Sequence, residues 1–425
     1  MVYIVVILNT NSLIKYYFFF AYSYFAIGYL FSLQIFINLI PGNQFISLVH
    51  LVLAAFFILI YLVYSNNKVK LKNYYSVFVY IIILALLLSL SSLSSNVPYY
   101  SLSRSFLTLI IFVFMFIVFS VLIEVADREI KWEQYKLFTL LLTLLIILVG
   151  QLLLPEWQAG FEGIRLSGGT NPNSAAYFGF FAVFVSHYYA LNRAKWLTLN
   201  KICWLLGLIC IAWSLSRSVI IMLGCLYAFF LFNIYAFEIV SLIKGKLPLR
   251  LIRLSILLFA LLIIIILAYL FIEYLPSYEF IIQRLLSESG MRTRYSTWIS
   301  VWPYFTDNPF FGSAGWWNLT RILSDTASPG GVQSPHSLYV RLLTETGIIG
   351  TFWIILFPIV LFLKQYSRII SKIGSNNYIY MFLAAGIFSI FIGQFFEDRY
   401  LTGLGSIENG MIMWVLVLAF IKLQR

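Results

Sequence analysis

The chain has 425 residues, of which 62% are hydrophobic and 10% charged, with a formal net charge of +12 and a mean hydropathy of +0.93. A soluble domain carries about 25% charged residues, so this composition excludes a soluble globular particle. Runs such as 80–90 and 254–272 are apolar on every face; this excludes a membrane barrel, whose strands alternate, and leaves helices, which satisfy their own backbone groups in lipid.

The expected fold is therefore all-α: one integral membrane domain over 1–425, a bundle of about 12 transmembrane helices at roughly 20 apolar residues each. Hydropathy places spans near 16–38, 46–64, 74–94, 104–126, 136–154, 174–192, 198–214, 217–238, 254–273, 347–363, 377–396 and 408–423. The N-terminus shows neither a basic n-region nor a small-residue cleavage site, so no cleaved signal peptide is expected. The three cysteines, Cys203, Cys210 and Cys225, fall inside apolar stretches and read as small buried residues.

Charge orients the bundle. One set of alternate connections holds 19 of the 28 basic residues, 13 of them lysine; the other holds nine, all arginine. Cytoplasmic loops carry the excess of Lys and Arg, which puts both termini in the cytoplasm and the arginine-only set outside. The positive charge thus belongs to membrane topology, and no tract or motif points to nucleic acid. Arginine binds phosphate and carboxylate oxygens in pairs and tolerates partial burial, so an all-arginine outer face suits anions.

Along that outer face, three segments stand out in chain order. Arg165 lies in Ile164-Arg165-Leu166-Ser167-Gly168-Gly169-Thr170-Asn171-Pro172-Asn173, leading into the sixth span with Asn173 or Ser174 as its expected cap. Arg217 lies in the Ser214-Leu215-Ser216-Arg217-Ser218 turn that opens the eighth span. Helix N-termini carry partial positive charge and free N–H groups, so these arginines suit a phosphate or pyrophosphate.

The third segment, 274–336, is an external loop of organised composition. Met291, Tyr295, Trp298 and Trp302 fall on one face of a helix, which suits the membrane interface or the outer ends of the bundle. Asp307-Asn308-Pro309 is expected to end that helix, and Phe310-Phe311-Gly312-Ser313-Ala314-Gly315 to form a tight apolar corner. Arg292, Arg294, Arg321 and Arg341 are candidate substrate-binding residues. With Ser334 as N-cap and Pro335 at the first helical position, His336 is expected in the first turn of a helix running through Arg341 and Glu345 to Gly347. A helix N-terminus keeps imidazole neutral, which makes His336 a candidate general base. His50 and His187 have no polar neighbours of interest in the sequence and read as structural. No metal-ligand cluster, Walker loop or Ser/His/Asp motif is visible, and no cofactor is expected.

Arg-x-x-Gly…Asn-Pro-Asn, Ser-Arg-Ser, Trp…Asn-Pro-x-x-Gly and a histidine ahead of Glu-x-Gly-x-x-Gly occur in that order over 160–365. This pattern resembles the O-antigen ligase/polymerase superfamily, which holds O-antigen ligases, Wzy-type polysaccharide polymerases and some oligosaccharyltransferases. The resemblance implies a glycosyltransferase of the bacterial inner membrane, with its site facing the periplasm. Its donor would be an undecaprenyl-diphosphate-linked glycan and its acceptor a hydroxyl of a saccharide or lipid-linked glycan, with no metal or nucleotide sugar. Other polysaccharide-assembly proteins would be its partners. It further implies that Arg165 and Arg217 contact the diphosphate and that His336 activates the acceptor. Ser337 stands where ligases often carry Asn, and a polymerase is favoured over a ligase that moves finished glycan onto lipid A-core. A flippase or transporter is the reading from a different class; the sequence shows no internal repeat to support it.

Overall fold

The computed structural model describes residues 75–110, 113, 131–153, 165–166, 172–192, 197–243, 289–326, 335–371 and 377–395. Within them the chain forms α1 (Tyr75–Leu93), α2 (Lys131–Leu153), α3 (Pro172–Asn192), α4 (Thr198–Ser214), α5 (Arg217–Ile243), α6 (Ser289–Val301), α7 (Pro303–Thr306), α8 (Leu319–Thr326), α9 (Leu338–Ser371) and α10 (Asn377–Gly393). Residues 98–110 are also helical, and no strand occurs among the described residues. Predicted spans 74–94, 136–154, 174–192, 198–214, 217–238, 347–363 and 377–396 coincide with helices. Those at 16–38, 46–64, 254–273 and 408–423 lie outside the described residues, as does most of 104–126.

Among the described residues, Arg217–Ile234 and Leu338–Leu356 are long and apolar enough to cross a membrane; Val79–Leu93, Leu140–Leu153, Thr198–Ser214 and Tyr378–Gly393 are apolar but shorter. The described helices carry many large apolar side chains on their outer faces. On α1, Ile82, Leu86, Leu90 and Leu93 face outward while Ser91 and Ser92 are buried. On α2, Phe138, Leu142, Leu145 and Val149 face outward while Thr143 and Gln151 are buried. Apolar outside with small and polar residues between helices is the packing of helices in lipid, where close backbone approach replaces the hydrophobic effect. The α3–α4 pair shows that approach: a Cβ on Gly179 would lie 2.6 Å from the Gly207 carbonyl oxygen, and one on Gly207 2.7 Å from that of Gly179. Leu144, Ile147, Leu166, Ala175, Ala182 and Cys210 fill the core between α2, α3 and α4. All three cysteines are free; Cys203 and Cys210 are buried.

The helices alternate in direction, so specific ends meet. The Gln151 side chain near the end of α2 donates to the Arg165 carbonyl (3.2 Å), and the Leu166 amide to Trp213 near the end of α4 (3.2 Å). Asn173 in the first turn of α3 accepts from Ser216, just ahead of α5 (2.8 Å). Gly393 at the end of α10 packs on Met222 in the second turn of α5, and the Leu338 amide opening α9 donates to the Gln394 carbonyl (2.9 Å). One end of the bundle thus collects the C-termini of α2, α4 and α10 with the N-termini of α3, α5 and α9. We call it the site end. Of the lysines of the other charge set, Lys131 and Lys136 open α2 and Lys201 opens α4, at helix ends away from it.

The loop that crosses the site end is interlocked with α9. Helix α9 is broken at Gly347 (φ 64°, ψ −167°), a backbone region essentially reserved for glycine. The hydrogen bonds that the break releases go to the loop: Ile348 N–H donates to Pro309 (2.8 Å) and Ile349 N–H to Phe310 (3.2 Å). The Phe310–Phe311 backbone lies directly on the Gly347 Cα, with no room for a methyl group. Gly312 (φ 72°) lies likewise against Thr344 and Glu345, and Ala314 N–H donates to the Thr344 carbonyl (3.2 Å). Asn-Pro-x-x-Gly and Glu-x-Gly-x-x-Gly are therefore two halves of one joint.

Two local expectations change. Helix α6 stops at Val301, well before Asp307, because Pro303 has no N–H to continue the ladder; α7 then adds one more turn. Of its predicted apolar face, Tyr295 and Trp302 are exposed and Trp298 is half-buried, alongside the exposed Ile299; the buried residues of the helix are instead Thr297 and Val301. The exposed strip has the composition of an interfacial helix, and Val301 joins Ala314, Leu319 and Leu323 in a small core of the loop's own.

The joint makes a sharp prediction. Gly347→Ala forces a Cβ into a glycine-only conformation against the Phe310 backbone, and should cost on the order of 3 kcal/mol. At Gly224, in mid-α5, a methyl group would enter open space, with nothing within 4 Å, so Gly224→Ala should be neutral or stabilise by up to about 1 kcal/mol. Thermal midpoints of the two variants in detergent check both; equal midpoints would rule out the joint as a stabilising element.

Candidate functional site at one end of the bundle

The turn between α4 and α5 is built from the sequence Ser214-Leu215-Ser216-Arg217. Leu215 ends α4 in a left-handed conformation (φ 50°, ψ 36°), its amide donating to Ala212. Ser216 supplies the first carbonyl of α5, accepting from Ile220 N–H (3.0 Å), which leaves Arg217 as the first helical residue. The Ser216 hydroxyl contacts both Asn173 (2.8 Å) and Ser218 (3.2 Å). Asn173 is thus not the cap of α3, as expected, but inside it, because Pro172 already occupies the first helical position with its preset φ.

Arg165 reaches the same turn from the other side. It is buried, at 6% exposure, and its Nε donates to the Ser214 carbonyl (2.9 Å), one of the carbonyls that a helix C-terminus leaves open. One of its five donors therefore serves the α4–α5 turn, and its guanidinium is held beside the start of α5. Arg217 itself is half-buried.

His336 stands at the start of α9, outside the helix. Its φ is 48°, and the helix begins at Leu338, with Ser337 accepting from Arg341 N–H (3.1 Å). The expected first-turn placement is corrected: Pro335 does not open the helix, because the Pro335 carbonyl is taken by the Trp298 indole N–H (2.6 Å) and the Leu338 amide by Gln394. Between these two anchors the chain turns through the left-handed region, which histidine enters more readily than most residues. Ser334 lies outside the described residues.

Arg341 is buried, at 3% exposure, with its guanidinium 4.8 Å from the Trp317 ring centroid. Trp317 is itself left-handed (φ 63°). Arg321 sits on Tyr100 at 5.5 Å, and Arg104 approaches the same ring at 5.1 Å. Arg294 lies half-buried on α6, which also carries Arg292. Arg321 and Arg341 thus lie over aromatic faces, where a guanidinium keeps its charge and its donors.

Several participants carry no sequence signal of their own. The serine-rich stretch 91–105 is the seat of the loop. Ser94 donates to the Gly312 carbonyl (2.8 Å), Ser91 to the Glu345 carbonyl, and Gly315 (φ 77°) packs on Ser95 and Ser101. Trp316 is fully buried, with its indole N–H on Thr108 (2.9 Å). The buried Glu345 carboxylate accepts from the Leu319 amide that opens α8 (3.1 Å). His187, in contrast, does have a polar neighbour: its Nδ1 is 3.1 Å from the Tyr227 hydroxyl, which also accepts from Trp204 (2.9 Å). It lies among Phe230 and Phe382 inside the bundle. His50 lies outside the described residues.

The non-glycine residues of positive φ among those described are Leu215, Trp317 and His336. Each costs about 1–3 kcal/mol, and such strain gathers where function over-determines the backbone. All three belong to segments at the site end, beside Arg217, Arg341 and the His336 turn. Residues 202–355 match the family model described as O-Antigen ligase. Over that stretch the chain is similar to the O-antigen ligase/polymerase superfamily. That stretch contains Arg217, Arg292, Arg294, Arg321, His336 and Arg341; Arg165 lies ahead of it. No curated protein matches the chain. The match supports, at the level of the family, a function of the O-antigen ligase/polymerase type within polysaccharide biosynthesis.

The bond from Arg165 to Ser214 gives it a structural share as well as a charge. Arg165→Ala strips a buried carbonyl of its donor and should lower stability by about 1–3 kcal/mol. A thermal midpoint taken without substrate tests this, and an unchanged midpoint would remove that structural share.

Proposed function

We propose that the protein is a membrane glycosyltransferase that transfers glycan from an undecaprenyl-diphosphate-linked donor to an acceptor hydroxyl, as a polymerase of surface polysaccharide repeat units. The observation that carries this reading is the gathering of Arg165, the Arg217 turn and the strained His336 turn at one end of the bundle. Arg165, Arg217 and Arg341 belong to the arginine-only charge set, which the positive-inside rule assigns to the periplasmic face of the bacterial inner membrane.

The chemistry follows from the residue types. The acceptor oxygen attacks the anomeric carbon of the donor sugar while His336 takes the hydroxyl proton. The bond from that carbon to the phosphate oxygen breaks, and the lipid diphosphate departs with the electron pair. Arg165, Arg217 and the N–H groups opening α5 are suited to stabilise the charge that develops there. Arg292, Arg294, Arg321 and Arg341 supply contacts to the glycan or the diphosphate. The loop, pinned by its joint to α9, is suited to keep water from the donor. No step in this scheme needs a metal or a nucleotide sugar.

The second reading is an O-antigen ligase that moves finished glycan onto lipid A-core, favoured by the description of the matching family. Gene disruption separates the two: loss of a polymerase leaves single-repeat products, and loss of a ligase leaves long chains on the carrier lipid. For the site, purified protein is given a lipid-diphosphate-linked glycan. His336→Ala and Arg217→Lys are each expected to lower donor turnover by about 10²-fold or more. Wild-type turnover in both variants would sink the proposed site.

A further inference from the structure

We propose that Trp298 is the positioning residue for His336, acting through the hydrogen bond from its indole N–H to the Pro335 carbonyl; the inference rests on His336 being the proton acceptor. The Pro335 carbonyl and the His336 N–H belong to one planar peptide unit. Fixing the direction of that carbonyl therefore fixes the plane from which the φ of His336 is measured. His336 stands at φ 48°, a conformation that a residue with a Cβ adopts only under constraint. The constraint on its N-terminal side is the 2.6 Å bond from Trp298. On its C-terminal side it is the 2.9 Å bond from the Leu338 amide to Gln394. If the first is removed, the peptide plane is freed to rotate, and the imidazole is carried with it.

Trp298 is well placed to exert this control. It sits on α6 between Thr297, which is buried, and the exposed Ile299, and is itself half-buried. One turn on, Val301 anchors the same helix in the loop core with Ala314, Leu319 and Leu323. The indole is thus held by the loop helix α6, whereas His336 lies two residues ahead of a bundle helix, α9. The bond couples the two bodies at the residue that must meet the acceptor hydroxyl. An apolar packing role for the ring would need no N–H at all, so the donor atom distinguishes positioning from packing.

The test uses full-length protein with a lipid-diphosphate-linked glycan. Trp298→Phe removes the N–H and keeps an apolar ring; incorporation of benzothienylalanine at 298 removes only the N–H and keeps the indole's shape, should the phenylalanine variant fold poorly. The expected result is a fall in kcat of about 10- to 100-fold, as a small misplacement of a catalytic group produces, with KM for the donor within about twofold and the thermal midpoint nearly unchanged. In a His336→Ala background the same change should have no further effect on turnover. Carbethoxylation of His336 by diethyl pyrocarbonate, followed by mass spectrometry, should proceed at an altered rate in the Trp298 variants. Unchanged kcat together with unchanged carbethoxylation overturns the proposal, as does a loss that multiplies with that of His336→Ala. If His336→Ala instead turns over donor at the wild-type rate, the reading of His336 as a base fails, and the carbethoxylation rate alone decides whether Trp298 positions it.

Discussion

The site end depends on the contact between the Gly347 Cα and the Phe310–Phe311 backbone. A helix broken in its interior exposes amides and carbonyls that cost free energy if they are left unmet away from water. Here the loop supplies the partners, with Pro309 and Phe310 accepting from Ile348 and Ile349. The break and the loop are therefore stable only together. Because α9 enters the bundle immediately after the break, the joint sets the height and angle of the loop over the bundle. Its effects extend to Gly312, Ala314 and the corner that carries Trp316 and Trp317.

From that joint, constraint spreads in two directions. Toward the N-terminal half, Ser91, Ser94 and Thr108 receive the loop, so α1 and the 98–110 helix form the wall against which it rests. Toward the start of α9, Arg341 stacks on Trp317, Leu338 ties to Gln394 and Trp298 ties to Pro335. His336 lies where these ties meet the end of α10, which in turn packs on α5 close to Arg217. The arginines and the histidine are held by separate elements: Arg165 by its bond to the Ser214 carbonyl, Arg341 by the Trp317 ring, and the His336 backbone by the bonds at Pro335 and Leu338. Such anchoring suits a site that must stabilise charge without reorganising. The strain at Leu215, Trp317 and His336 is what this network sustains.

Much of this is legible in the chain alone. Apolar runs of span length are a local property, and the helices found at 75–93, 131–153, 198–214, 217–243 and 377–393 follow them. Alternating direction then follows from short connections, and it brings Arg165 and Arg217 to one end without any long-range information. The Gly-punctuated corner at 310–315 is also readable, since positive φ at Gly312 and Gly315 is a glycine property. The His336 turn departs from expectation for an instructive reason. Ser-Pro ahead of an apolar run is a good helix start, but the local preference loses to two distant partners, Trp298 and Gln394, that claim the groups on either side.

By itself, the sequence determined that this chain is a helical bundle with a lipid-compatible surface, and it nominated arginines and a histidine on one face. Hydropathy, capping chemistry and charge asymmetry act over a few residues to a few turns, so they can be read from the chain directly. Only the tertiary structure decided that Arg165 spends a donor on Ser214, that a serine-rich stretch more than 200 positions away seats the loop, and that Trp298 reaches Pro335. Ser91 meets Glu345 across 254 positions and Trp316 meets Thr108 across 208. Contacts of that separation are set by how the loop docks on α9, and no local periodicity encodes them.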